Sequence, residues 1–325
     1  MKRIYLFYPI LISERKGMKG LELSETYFKE VGYPMLRKQF ADYINRMAAG
    51  LVGDGSECFG FDDSLSLDHD WGPGFCLWLT PKDYEIISSR LKSALAALPR
   101  SFAGFGPRQV SQWGDERIGV FEINRFYQKF IGFGHMPSDL NEWLMIPENN
   151  LAACTNGKVF FDPLKEFTCL RKALLDFYPE DVRLKKIASR CMTIGQAGQY
   201  NLPRCIQRSD FFCAQYAETK FSADFISLIF LLNRKYAPFY KWMNRAVKDL
   251  PILGEWTHRE VAALISEPES EERIKRVEGM CATVINELKK QELSYNDSSF
   301  MADHGPEIHN KIKDDRLRDL NVWVG

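Results

Sequence analysis

A chain of 325 residues is longer than one hydrophobic core usually serves, so two domains, or one large domain with an appended one, are expected. Its 45% hydrophobic, 13% aromatic and 26% charged residues are those of a folded globular protein and exclude a disordered or fibrous chain. Lys plus Arg and Asp plus Glu both number 43, so a net charge of +0 supplies no global attraction to phosphate backbones or anionic membranes, and nucleic acid is not the expected main partner.

The apolar stretch Ile4 to Ile12 follows Met1-Lys2-Arg3 as in an export signal. Pro9 and two tyrosines interrupt it, and Ser13-Glu14-Arg15-Lys16 stands where small cleavage-site residues belong. From Leu21 to about Arg46, Leu23, Tyr27, Phe28, Val31, Leu36, Phe40, Tyr43 and Ile44 recur at helical spacing with a break near Gly32 and Pro34, which predicts two helices. Strands are expected at Ala48 to Val52 and Phe75 to Leu79, separated by a polar, acidic loop. Thr80 as N-cap and Pro81 in the first turn open a helix carrying Tyr84, Ile87, Leu91 and Leu95, which should stop before Pro99.

Extended segments follow around Gln109 to Trp113 and from Arg117 to Asn124, then a helix over Phe126 to Phe130 that ends near Gly132. A hairpin is expected at Gly157 to Phe161. Beyond it the 3.6 repeat dominates, at Leu170 to Tyr178, Val182 to Met192, Phe211 to Asn233 and Ile274 to Leu288, with Glu267 to Glu272 as a charged linker and a loosely held tail after Leu293. Phe225 to Leu232, bounded by Asp224 and Arg234, falls far short of the roughly 20 apolar residues of a membrane span, so no membrane partner is expected. The eight cysteines show no Cys-x-x-Cys pair and no zinc or disulfide spacing, which reads as reduced thiols in the cytoplasm.

Chemistry concentrates in Gly55-Ser56-Glu57-Cys58-Phe59-Gly60-Phe61-Asp62-Asp63 and Asp68-His69-Asp70-Trp71-Gly72-Pro73. In an extended strand, Asp68 and Asp70 point to one face, and two carboxylates so close repel unless a cation lies between them. Mg²⁺, which takes one or two carboxylates plus substrate phosphates, suits that position. The Gly55-Ser56 turn can bring backbone N–H groups and a hydroxyl against a phosphate. Glu122 is the candidate third carboxylate, with Val120, Glu122 and Asn124 on one face and Phe121 and Ile123 turned to the core; the competing reading is a structural ion pair with Arg125 or Arg117. Glu57, Asp62 and Asp63 read as a solvated turn. His69 orients an aspartate or caps a turn, because a His-Asp phosphohydrolase needs an earlier histidine and none precedes position 69.

The Gly55-Ser56 turn followed by Asp68-x-Asp70 resembles the signature of the DNA polymerase beta-like nucleotidyltransferase superfamily. The longer runs, together with Arg234-Lys235-Tyr236-Ala237-Pro238-Phe239-Tyr240-Lys241-Trp242, look like an uncharacterised bacterial branch of it, a nucleotidyltransferase-like domain of unknown function. This likeness extends from about Gly20 to Pro251. It departs from the superfamily at Asp54, before the Gly-Ser turn, and at His69, where apolar residues are usual.

The resemblance implies an α/β nucleotidyltransferase domain over residues 1–165 packed on a C-terminal all-helical domain over 166–325, with the active site in the cleft. It further implies that Gly55 and Ser56 hold nucleotide phosphates and that Asp68, Asp70 and Glu122 bind two Mg²⁺ ions. The reaction would carry a nucleoside monophosphate from a nucleoside triphosphate to a hydroxyl, that of a small-molecule acceptor by analogy with antibiotic-modifying relatives. Lys241, in the matching segment, is a candidate for the triphosphate, against the alternative of a solvated lysine; Arg204, beside Gln199-Tyr200-Asn201 in an expected loop, is a second candidate. The rival expectation is a catalytically silent protein that keeps the fold to bind a nucleotide or a partner; protein or tRNA modification by the same chemistry is a third.

Overall fold

The computed structural model describes residues 18–109 and 117–325. The stretch Ile4 to Ile12 lies outside these residues, as does the extended segment around Gln109 to Trp113 apart from Gln109 itself. The chain divides into two units, Met1–Ile123 with Asn156–Thr168, and Asn124–Thr155 with Cys169–Gly325. It is a mixed α/β protein with one small sheet and mostly helical content.

In the first unit, α1 (Gly20–Tyr27) passes through a π turn (Phe28–Gly32) directly into α2 (Tyr33–Gln39). The break expected near Pro34 is absorbed, because the wider turn shifts the hydrogen-bond ladder where proline offers no N–H. Strands β1 (Met47–Leu51), β2 (Cys76–Leu79), β3 (Gly119–Glu122) and β4 (Lys158–Phe161) form one sheet in the order β3-β2-β1-β4. β1 runs antiparallel to β2 and β4, and β2 runs parallel to β3. The segment expected as a hairpin is therefore the edge strand β4, whose partner β1 lies far upstream and leaves no local trace.

One sheet face, formed by Met47, Ala49, Leu77, Leu79 and Val120, is covered by Tyr27, Phe28, Leu36 and Phe40 and by Ile87 and Leu91 of α3 (Pro81–Ala96). Helix α3 begins and ends as its sequence requires, with the Thr80 hydroxyl accepting the Asp83 N–H at 3.2 Å and Pro81 in the first turn. On the opposite face Trp78 stacks on Phe167 with ring centroids 3.9 Å apart and planes tilted by 19°. Both rings are fully buried.

The second unit is built from α4 (Ile123–Ile131), α5 (Leu140–Met145), α6 (Glu148–Thr155), α7 (Glu166–Leu175), α8 (Glu180–Ile194) and α9 (Leu202–Gln207), the ends of α4 and α7 being shared with the first unit. It continues through α10 (Phe211–Leu232), α11 (Tyr240–Val247), α12 (Gly254–Ser266), α13 (Ser270–Lys290), α14 (His304–His309) and α15 (Asp315–Asp319). Helix α10 is the core, with Phe221, Phe225, Leu228 and Ile229 fully buried. Among the described residues no helix is long and apolar enough to cross a membrane.

Two expectations are corrected here. The segment holding Gln199-Tyr200-Asn201 and Arg204 is a π turn (Gly195–Asn201) running into α9, not a loop. Its glycines resemble loop punctuation, yet Gly198 is there for close approach, since a Cβ would come within 2.8 Å of the Phe221 ring and 2.9 Å of Val277 Cγ1. The tail is not loose either. Met301, Ile308, Ile312 and Leu317 are buried, Lys185 Nζ donates to the carbonyls of Leu320 (3.0 Å) and Asn321 (2.7 Å), and the Ser189 hydroxyl donates to that of Trp323 at 2.8 Å. These anchors are too widely spaced to show as a periodic pattern.

Candidate functional site

Gly50 of β1 stands opposite Cys76 of β2 in an antiparallel pair, so the loop leaving β1 and the loop entering β2 emerge at the same end of the sheet. This register puts the loops that carry the Gly55-Ser56 turn and the Asp68-x-Asp70 segment at the same end of the sheet. Gly55 is buried, and a Cβ there would lie 2.6 Å from the Glu57 carboxyl carbon, so the turn is wrapped tightly on that side chain. Ser56 is partly exposed and its carbonyl accepts the Phe61 N–H at 2.9 Å.

Glu57 and Asp62 are not solvated. Glu57 is 2% exposed and accepts from Arg108 Nη2 at 2.7 Å, an ion pair buried at both ends. Asp62 accepts the Gly20 N–H at 2.7 Å and the Trp71 Nε1–H at 3.1 Å. Of the three acids only Asp63 is exposed, where it caps the short turn Ser64–Leu67. Buried carboxylates need donors, and theirs come from residues distant in sequence. Burial drives the Cys58 thiol well above its ordinary pKa, helped by the Glu57 charge, and pushes Cys76 up to about 12, so neither offers a thiolate near neutrality.

The Asp68–Asp70 segment is a bend rather than a strand. Asp70 adopts a left-handed conformation (φ 53°) with its N–H bonded to the Gln109 carbonyl at 2.6 Å. The alternation argument for two carboxylates on one face therefore does not apply. The Asp68 side chain is 65% exposed and lies 2.7 Å from His69 Nδ1, whereas that of Asp70 is 4% exposed and lies 3.7 Å from Arg117 Nη2.

Glu122 does not join them. It pairs in register with Leu79 at the far end of parallel strands, three residues beyond Gly119, or about 10 Å from the end that carries Asp70. Val120 is buried on the face shared with Leu77 and Leu79 and Glu122 is buried too, whereas Phe121, expected in the core, is only partly buried; Ile123 is buried as expected. Among the described residues no three His, Cys, Asp or Glu side chains come close enough to hold a metal ion. Asp68 and Asp70 supply the hard oxygen donors suited to Mg²⁺, but the three-carboxylate set does not assemble.

Beside Asp70 opens a cavity of about 260 Å³ lined also by Lys92, Arg108, Arg117 and Gly119. It shares Leu95, Arg108, Ile118 and Gly119 with a second cavity of about 420 Å³ whose remaining wall includes Tyr27, Pro73, Phe75 and Leu98. Three cationic residues and one carboxylate thus line a single cavity that adjoins a largely apolar recess, with Arg117 alone in ion-pair range of Asp70 at 3.7 Å. Gly55, Ser56 and Asp68 line neither space. Arg117 was legible only as a partner for Glu122, and the cationic role of Lys92 and Arg108 left no pattern, since they come together through tertiary packing.

Lys241 and Arg204 belong to the second unit. Lys241 is exposed with its ammonium 4.4 Å from the Trp242 ring centroid. Arg204, also exposed, stacks on Tyr200 at 3.7 Å and donates to its hydroxyl.

Residues 143–243, from α5 to α11, match a family described as a domain of unknown function (DUF4037). The crystal structure of a nucleotidyltransferase-like protein from Exiguobacterium sibiricum 255-15 is similar at 12% sequence identity, over 86% of this chain and 80% of that one, with a TM-score of 0.36. No curated protein matches the chain.

Proposed function

We propose that the chain binds a nucleoside triphosphate at the sheet end bearing Gly55-Ser56 and Asp68-x-Asp70, and transfers its nucleoside monophosphate to a hydroxyl of a small-molecule acceptor. The observation that carries this reading is the cavity lined by Lys92, Arg108, Arg117 and Asp70 beside a largely apolar recess. Phosphates need converging donors and cations, and a nucleoside needs an apolar bed; the two adjoin here. Arg108, fixed by Glu57, offers a preorganised donor edge, while Arg117 and Lys92 balance phosphate charge as it shifts during transfer. An Mg²⁺ ion held by Asp68 and Asp70, the number of carboxylates this ion takes when phosphates complete its shell, would polarise the phosphate oxygens.

A second reading, nucleotide binding without turnover, has its own support. Arg117 lies 3.7 Å from Asp70 and Arg108 lies 2.7 Å from Glu57, so carboxylates of both motif segments already face protein cations. Incubation with each α-phosphate-labelled nucleoside triphosphate, Mg²⁺ and a panel of hydroxylated small molecules separates the two. The transfer reading expects a labelled product that falls by about 100-fold or more in Asp70→Asn. Equal labelling by the variant removes Asp70 from the chemistry, and triphosphate binding with no product across the panel favours the silent protein.

A further inference from the structure

The helical unit holds a cavity of about 490 Å³ that takes no part in the reading above, lined by Lys186, Arg190, Glu148, Asp224 and the aromatic pair Phe239 and Tyr240, with apolar groups such as Ile146 and Met243 between them. We propose that it binds a small organic anion, a carboxylate or phosphate monoester attached to a flat apolar body. The two acids of the cavity are already matched. Glu148 accepts from Arg190 at 3.2 Å and from the Ser227 hydroxyl at 2.9 Å, while Asp224 accepts from Lys220 at 2.5 Å and lies 4.0 Å from Arg190 Nε. Arg190 is in turn spent on Glu148, Ser227 (2.9 Å) and the Gly325 carbonyl (3.0 Å).

Lys186 is different. It is 4% exposed, yet among the described residues its ammonium meets only the Leu144 carbonyl, at a long 3.5 Å, and the face of Tyr178, 5.2 Å from the ring centroid. A buried ammonium has three protons to place, and a cation so poorly answered in a cavity calls for an anion. Burial lowers its pKa from the usual lysine value, with the Glu148 charge opposing the shift and the Arg190 charge adding to it. Phe239 and Tyr240, with ring centroids 4.3 Å apart and Tyr240 largely exposed, offer a surface on which a planar apolar group can lie.

Calorimetric titration of the full chain with benzoate, phenyl phosphate and inorganic phosphate tests this. One organic probe should bind with one site per chain, the better of the two showing whether the anion is a carboxylate or a phosphate monoester. Lys186→Met should weaken it by about tenfold or more, the loss expected for a charge-assisted hydrogen bond. Tyr240→Ala, at a largely exposed position, should weaken the aromatic probes and leave inorganic phosphate unchanged. Asp70→Asn should alter none of these affinities, which keeps the outcome separate from that of the sheet-end site. Absence of binding by both organic probes, affinities unchanged in Lys186→Met and Tyr240→Ala, or loss of binding in Asp70→Asn would each overturn the proposal.

Discussion

Glu57→Ala should lower the free energy of unfolding by about 3–5 kcal/mol, because it strands the buried Arg108 guanidinium, which then keeps, among the described residues, only a long hydrogen bond to the Gly72 carbonyl at 3.5 Å. The pair is worth far more intact than broken, since each ion has left water and the other is its main compensation. Removing both ions with Glu57→Met and Arg108→Met together should therefore recover much of the loss, an apolar pair of similar volume being close to neutral in such sites. Urea denaturation of the three variants checks this. A loss below about 1 kcal/mol in Glu57→Ala would mean that the pair is solvated like an ordinary surface bridge. The same substitution frees the wall behind Gly55, so the Gly55-Ser56 turn loosens along with the fold.

Phe167→Ala should cost about 3–5 kcal/mol, the range for deleting a fully buried aromatic ring. Phe167 covers Trp78 on the sheet face opposite the one packed by α1–α3, so its removal opens a cavity against that ring. Phe167→Leu keeps most of the volume and should lose clearly less. Urea denaturation gives the cost, and near-ultraviolet circular dichroism reports whether the Trp78 environment has changed. Equal stability of the parent and Phe167→Ala would show that the stack is not part of the core.

The elements that sequence revealed are those whose signal is local. Thr80-Pro81 carries both a cap and a first-turn proline, and α3 begins there. Ala48 to Val52 and Phe75 to Leu79 are short apolar runs between turn residues, and they are strands buried on both faces. The long apolar repeat of α10 is likewise self-evident. What stayed hidden was set by partners distant in the chain. Glu57 and Asp62 read as solvent-facing acids because their donors, Arg108, Gly20 and Trp71, are identified only by the fold. Glu122 was placed by strand alternation, but a four-residue strand that turns straight into α4 gives that rule too little length, and the parallel register carries Glu122 to the far end. The Asp68-x-Asp70 spacing is plain, while its left-handed Asp70 is invisible without coordinates.

The proposed triphosphate binding in the Asp70 cavity is measured most directly by calorimetry with non-hydrolysable analogues of the four common nucleoside triphosphates in the presence of Mg²⁺. At least one analogue should bind the parent chain, and the double variant Lys92→Met with Arg117→Met should bind it about 10- to 100-fold more weakly, as expected for losing charge-assisted hydrogen bonds to phosphate. Nucleoside alone should bind both proteins alike. No binding of any analogue to the parent, or equal affinity in the double variant, would contradict the placement of the phosphates beside Asp70.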